Sequence, residues 1–234
     1  MKIIVIIPTL NEQGNIKYLC NIIIKKLGIP ILFVDDNSTD GTRNDILNLK
    51  KKNKLIKYLF RKKKLGIGSA HKDGIKWAYK NKFDICFTMD ADRTHNPFEI
   101  KKMLNILKQN KADLIITSRF IKKKSLSDWP YIRKVITKIR YYLVKYTLRT
   151  NLDSSGGFRC YNLKKIKKKH IILAKNNGYF FLIESLFYLE KLQYKILEIH
   201  SNLKYRSRGH SKMRIIDIIS ALINLIKLSF LKKI

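Results

Sequence analysis

Two short acidic segments, each closing an apolar run, carry the residues best suited to chemistry: Ile31-Leu32-Phe33-Val34-Asp35-Asp36-Asn37-Ser38-Thr39-Asp40-Gly41-Thr42 and Ile85-Cys86-Phe87-Thr88-Met89-Asp90-Ala91-Asp92. Carboxylates are scarce, 17 Asp plus Glu against 50 Lys plus Arg, yet Asp35, Asp36 and Asp40 fall in the first and Asp90 and Asp92 in the second. Apolar runs rich in Ile, Val and Phe read as buried parallel strands, and open α/β sheets bind ligands outside the carboxyl ends of their strands. Two acidic strand ends would meet at one crevice, where unpaired carboxylates repel unless a cation or a ligand offsets them. A divalent metal with a nucleotide phosphate is the economical explanation. A helix-capping turn is the alternative, with more weight for Asp40 than for Asp90 and Asp92.

Hydrophobic periodicity supplies the elements that would position these groups. Strands are expected at 3–7, 31–35, 56–60, 84–89 and 113–117, alternating with helices at 15–27, about 40–50, 67–80 and 97–109. Such alternation argues a mostly parallel sheet with crossover helices. The rhythm changes after Arg119: a basic loop (residues 122–128), Trp129-Pro130, a helix near 131–148, a Gly-rich segment at 154–160, a helix near 180–192 and a strand near 195–205. No linker divides the halves, so the second is expected to close over the first rather than form a separate domain.

With 234 residues and 45% apolar content the chain suits one domain with a full core. Cys20, Cys86 and Cys160 lack metal-ligand spacing and read as buried thiols of a reducing compartment. Met1-Lys2 leads directly into a short strand, so no signal peptide is expected. The formal charge of +33 raises a nucleic-acid-binding alternative, but no helix-turn-helix, zinc or RNA-recognition pattern accompanies it, and no nucleic-acid partner is expected.

Pro8-Thr9-Leu10-Asn11-Glu12, the 35–42 motif and Asp90-Ala91-Asp92 together resemble family 2 glycosyltransferases of the GT-A fold. Lys64-Leu65-Gly66-Ile67-Gly68-Ser69-Ala70, Ser118-Arg119-Phe120, residues 153–159 and residues 206–212 are similar to the dolichyl-phosphate (polyprenyl-phosphate) mannosyltransferase group. The resemblance implies a catalytic domain over 1–213 that moves a sugar, mannose from GDP-mannose in the first instance, onto a polyprenyl phosphate with inversion. Another sugar nucleotide of the UDP-glucose type, or a glycan hydroxyl acceptor, is the alternative. It implies Mg²⁺ or Mn²⁺ on Asp90 and Asp92, with Asp92, Asp90 and Arg119 central to catalysis. Donor contacts are implied for Pro8, Leu10, Glu12, Val34, Asp36, Asp90, Ala91, Asp92, Arg119, Arg206 and Lys212. Acceptor-phosphate contacts are implied for Arg119, Arg133 and Thr137. Three residues depart from the pattern: Thr94 replaces a Gln common in the metal shell, Arg93 replaces an apolar residue, and Leu10 replaces an aromatic.

The chemistry suits these residue types. Departure of a nucleoside diphosphate leaves negative charge that a divalent ion and cations can stabilise, and magnesium takes one or two carboxylates plus phosphate oxygens. A phosphate acceptor is already anionic near neutral pH and needs cations rather than a general base. Asp153 and Glu184 are therefore expected in structural roles, Asp153 toward the Gly-rich loop and Arg159. A polyprenyl acceptor lives in a bilayer, yet no run of about 18 apolar residues exists. Residues 214–234 instead carry Arg214, Asp217, Ser220, Asn224 and Lys227 as one narrow polar stripe on an otherwise apolar helix. That pattern fits an interfacial membrane helix; packing on the catalytic domain, or on a partner such as a small membrane-anchoring subunit, is the alternative. The expected location is cytoplasmic, peripheral on the cytoplasmic face of a membrane.

Overall fold

A computed structural model of the chain describes residues 1–122, 125–127, 129–201 and 215–231. A seven-stranded sheet forms the centre, in the order β3-β2-β1-β4-β6-β5-β7. Its strands are β1 (Ile3–Thr9), β2 (Ile31–Asp35), β3 (Ile56–Phe60), β4 (Ile85–Thr88), β5 (Leu114–Ser118), β6 (Arg159–Asn162) and β7 (Ile196–His200). All pairings are parallel except those of β6, which runs antiparallel between β4 and β5.

The alternation of side chains along each strand divides the apolar residues between two cores. Ile4 and Ile6 of β1 face one side with Leu32, Val34 and Tyr161. Val5 and Ile7 face the other with Phe33, Phe87 and Cys160. Burying each such side chain stabilises the fold by roughly 1.5–3 kcal/mol, which is why near-continuous Ile and Val runs become central strands. On the second face pack α1 (Ile16–Cys20), which continues as a wider π-type turn over Asn21–Lys26, α2 (Thr42–Lys52) and α4 (Glu99–Lys108). On the first face pack α3 (Ile67–Lys80), α5 (Tyr131–Leu148), the short α6 (Lys168–Ile171), α7 (Phe181–Lys191) and α8 (Ile215–Phe230).

The strand order turns back at β1, whose neighbours are β2 and β4. Thr9, Asp35 and Thr88 therefore end at the same edge of the sheet, and the chain leaves it there in turns. Asn11 (φ 52°), Asn37 (φ 66°) and Arg93 (φ 65°) adopt the left-handed conformation in those turns. Asn tolerates it with little penalty; Arg93 does not and is held by contacts described below.

Helix α8 packs on the rest of the fold along one side, through Ala221, Leu225 and Leu228, against the core that includes Val144 and Leu148 of α5. Its other side remains exposed, with Ile219, Ile223, Ile226 and Phe230 between 49% and 80% accessible. Beside it α5 exposes Tyr131, Ile132, Ile136, Ile139 and Tyr146. No described helix is long and apolar enough to cross a membrane.

Candidate active site

Two cavities open at the carboxyl ends of the strands. The larger, about 470 Å³, is walled by Pro8, Leu10 and Glu12 after β1, Asp36 after β2, and Lys64–Ile67 before α3. Asn177–Tyr179 and Asp217 of α8 close the opposite wall. The smaller, about 140 Å³, is lined by Thr94, His95, Arg119, Trp129, Arg133 and the 155–157 loop, among others. Asp90 and Asp92 line both, and are the only described residues common to the two.

The turn after β4 fixes these two carboxylates. Asp92 is 6% exposed, and its Oδ1 accepts from Thr94 N at 3.1 Å and Thr94 Oγ1 at 2.7 Å. Thr94 thus orients Asp92. Asp90 is the more accessible; its backbone N–H donates to His95 Nδ1 at 3.3 Å, which leaves the neutral ring's proton on Nε2, 4.0 Å from Asp90 Oδ2. A Cβ on Gly157 would lie 2.8 Å from Asp90 Oδ1, so a side chain there would displace the carboxylate. The Gly157 carbonyl accepts from buried Thr88 Oγ1 at 2.7 Å, which ties the loop to β4.

The other acids divide by task. Asp35 is fully buried and is taken up by Arg43 Nε at 2.5 Å and by Ser38 and Thr9. Asp40 accepts from Thr42 N at 2.9 Å and Gln13 N at 3.1 Å, an Asx turn one residue ahead of Gly41, the residue that caps α2. Asp36 reaches the large cleft while accepting from Leu65 N at 2.7 Å and Gly66 N at 2.8 Å, with Arg61 at 3.2 Å. It shapes the 64–66 wall by holding that loop. Gly66 (φ +99°) and Gly68 face the 176–178 backbone: added Cβ atoms would fall 2.4 Å from the Asn177 carbonyl and 2.5 Å from the Gly178 carbonyl. Close packing therefore accounts for this Gly-x-Gly pair.

Arg119 is 9% exposed and paired with fully buried Asp153 through Nε at 2.9 Å, Nη2 at 3.0 Å and its backbone N–H at 3.1 Å. Burial pushes the Asp153 carboxyl up, but the Arg119 guanidinium and its hydrogen bonds outweigh it and hold the group below the usual carboxylate range. Arg133 stacks over Trp129, with Cζ 4.7 Å from the ring centre. Thr137, one turn further along α5, is buried and lines neither cavity. Val34 is likewise buried beneath the large cleft, in β2. Arg206 and Lys212 lie outside the described residues.

Arg159 meets carbonyls rather than Asp153: Gly156 at 2.9 Å, Ser154 at 2.6 Å and Leu182 at 2.8 Å, with Ser185 Oγ at 3.2 Å. It braces the 154–157 loop from beneath, fully buried. Arg93 turns away from the carboxylates, donating to the Gly14 carbonyl and lying 4.4 Å over the Tyr18 ring. The 176–179 wall, His95 and Gly157 had no place among the expected site residues. The close spacing of Gly66 and Gly68 was the one sign of the wall.

Asp90 and Asp92 fit a hard divalent cation: two oxygen donors two residues apart, on a turn at the junction of two cavities. The described residues contain no cluster of three or more His, Cys, Asp or Glu able to hold a metal, so such an ion would draw its remaining ligands from water and substrate phosphates.

A family model described as "Glycosyl transferase family 2" matches residues 4–168. The chain is 29% identical over 217 residues to an undecaprenyl-phosphate mannosyltransferase of Micrococcus luteus, covering 91% of this chain and 88% of that one. It is 29% identical over 214 residues to a polyprenol monophosphomannose synthase of Mycolicibacterium smegmatis, covering 90% and 80%. Among solved structures, glucosyl-3-phosphoglycerate synthase of Mycobacterium tuberculosis, in complex with Mn²⁺, UDP and phosphoglyceric acid, superposes with a TM-score of 0.63 at 16% identity. That match covers 98% of this chain and 77% of the other, and it shows the shared GT-A architecture.

Proposed function

Since the chain belongs to glycosyl transferase family 2, we propose that it transfers mannose from a sugar nucleotide in the larger cleft to a polyprenyl phosphate whose phosphate enters the smaller cavity. One observation carries this reading: two cavities of different character meet at Asp90 and Asp92. The larger has room for a nucleotide between the 8–12 and 64–67 segments. The smaller is lined by Arg119 and Arg133, cations suited to a phosphate monoester. Relatives that the chain matches over most of their length are named for mannosyl transfer to undecaprenyl phosphate and for polyprenol monophosphomannose synthesis.

In this reading Asp90 and Asp92 hold Mg²⁺ or Mn²⁺, which when bound offsets charge on the departing diphosphate. Thr94 and His95 keep the two carboxylates in place. Arg119 stands where donor and acceptor approach, its direction set by Asp153, and Arg133 draws in the acceptor phosphate. GDP is the nucleotide we assign to the donor; Pro8, Leu10, Glu12, Asp36 and Ala91 contact it from the cleft wall and Val34 supports them from below, while for Arg206 and Lys212 the role at its phosphates rests on the sequence resemblance alone. Thr137, buried one turn further along the same face of α5, lies behind Arg133 toward the acceptor phosphate. No carboxylate is needed as a base, because the acceptor oxygen already carries charge.

Residues 1–213 form the catalytic unit and 214–234 the membrane-interface helix in this proposal. The exposed faces of α5 and α8 together present Ile, Leu, Phe and Tyr side chains beside both cavities. Such a face inserts at a bilayer surface, and the basic chain favours an anionic one, at about 1 kcal/mol per well-placed cation. In this proposal the protein sits peripherally at the cytoplasmic membrane surface, where a small anchoring subunit would add to the attachment.

The test is to incubate the enzyme with GDP-mannose, and separately with other sugar nucleotides, together with a short-chain polyprenyl phosphate and Mg²⁺ or Mn²⁺. Mass spectrometry then follows the lipid. Formation of hexosyl phosphoprenol from GDP-mannose is expected; transfer to hydroxyl acceptors alone would overturn the reading.

A further inference from the structure

Arg133, Thr137 and Arg140 follow one another at four- and three-residue spacing on α5, so they share a helix face. Arg133 lines the smaller cavity; Arg140 stands behind it. Arg140 Nη2 donates to Ser155 Oγ at 3.0 Å, and Arg119 Nη2 donates to the same oxygen. Guanidinium groups have donors only, so the single hydroxyl proton of Ser155 goes to Asp153 Oδ1, 3.0 Å away. Ser155 lines the cavity, yet its oxygen already serves two guanidiniums and its proton serves a carboxylate. It is a junction between Arg119 and Arg140 rather than a contact for a ligand.

Arg119 and Arg140 both act by charge on Asp153, and behind Asp153 stands Glu198, whose Oε1 accepts the Asp153 N–H at 2.5 Å. Burial, together with the Asp153 charge, pushes the Glu198 carboxyl up. Burial, and then the Arg119 charge, push Arg140 down to about 10, with Asp153 opposing and Arg133 adding to the fall. A half-buried cation is thus held close to its own kind, an arrangement that an arriving anion relieves.

We infer that Arg140 is a positioning residue for the acceptor phosphate, acting through Ser155 and by its own charge to keep the Arg119 edge of the smaller cavity receptive to an anion. The inference rests on the reading above that this cavity takes a phosphate. It makes Arg140 the third cation of the site without direct contact with the ligand, and it gives Ser155 a defined task that a small loop residue would not otherwise have.

The test is calorimetric titration of the full-length protein with inorganic phosphate and, separately, with farnesyl phosphate, in wild type, Arg140→Met and Arg140→Lys. Loss of the charge should weaken both ligands by about tenfold, while Arg140→Lys, which keeps it, should stay within about threefold of wild type. GDP binding in the presence of Mn²⁺ should be unchanged in all three, which also reports that the variants are folded. Farnesyl phosphate affinity in Arg140→Met within twofold of wild type would overturn the inference, as would a Lys variant no better than the Met variant. If wild type binds neither phosphate ligand, the reading of the smaller cavity falls and this inference falls with it.

Discussion

Asp153→Asn removes a charge with almost no change of shape, at the point where the smaller cavity is built. Three N–H groups of Arg119 converge on the Asp153 carboxylate at 2.9–3.1 Å, and Ser155 Oγ adds a fourth contact. An amide keeps one acceptor oxygen; its NH₂ would face donors. At least one guanidinium donor then loses its partner, and Arg119 is left 9% exposed with its paired counter-charge gone. Breaking one side of a buried pair costs about 3–5 kcal/mol, which for a chain of this size lowers Tm by ~10 °C. The pH dependence has a definite sign. Asp153 lies below its ordinary value of 3.8 in the fold, so its contribution is present above that value and is lost as pH falls through the lower folded pKa. Thermal melts at pH 7 and in acid, on wild type and variant, measure both effects. A Tm within 2 °C of wild type at pH 7, with an unchanged acceptor KM, would refute the claim that this pair sets Arg119.

Asp92→Ala should lower turnover by two orders of magnitude or more at saturating metal while leaving the melting temperature near wild type; near-normal turnover would remove Asp92 from the metal site. His71 is buried, and burial, followed by the Arg159 charge, push it down to about 3 from an ordinary 6.5. The unfolded chain therefore takes up that proton first, and stability should fall by about 2 kcal/mol from this group between pH 7 and pH 5, a slope that urea melts should find flattened in His71→Phe. Ile219→Glu with Ile226→Glu, both on the exposed side of α8, should abolish flotation with anionic vesicles without loss of fold; undiminished flotation would assign attachment to α5 or to the basic loops.

Much of the fold was legible because strand and helix periods are strong over residues 3–117, and the five expected strands there all form within a residue or two of their expected bounds. The antiparallel strand β6 was not. Its four residues follow a glycine pair and begin with Arg159, a charge that reads as loop; only the tertiary setting supplies the carbonyls that let a guanidinium be buried there. The segment at 195–205 forms a strand over Ile196–His200, and residues after 201 lie outside the described set. At the site, Asp90 and Asp92 were legible as acids in a chain poor in them. The partners were not: Asp153 meets Arg119 rather than Arg159, and Arg93, left-handed in its backbone, reaches the Gly14 carbonyl and the Tyr18 ring. His95 carries no signal in sequence beyond being a histidine near two aspartates. For α8 the structure shows packing on the rest of the fold along one side, through Leu225 and Leu228, while the other side stays exposed.

The central claim is a division of labour between two cavities that share Asp90 and Asp92. Arg133→Ala tests it most directly, since Arg133 lines only the smaller one. Steady-state kinetics with a short-chain polyprenyl phosphate, alongside equilibrium binding of the sugar nucleotide, separate the two sites. The acceptor KM should rise by about tenfold or more, on the scale of a charge-assisted phosphate contact, with donor affinity held within a few-fold. Weakened donor binding at an unchanged acceptor KM would contradict it.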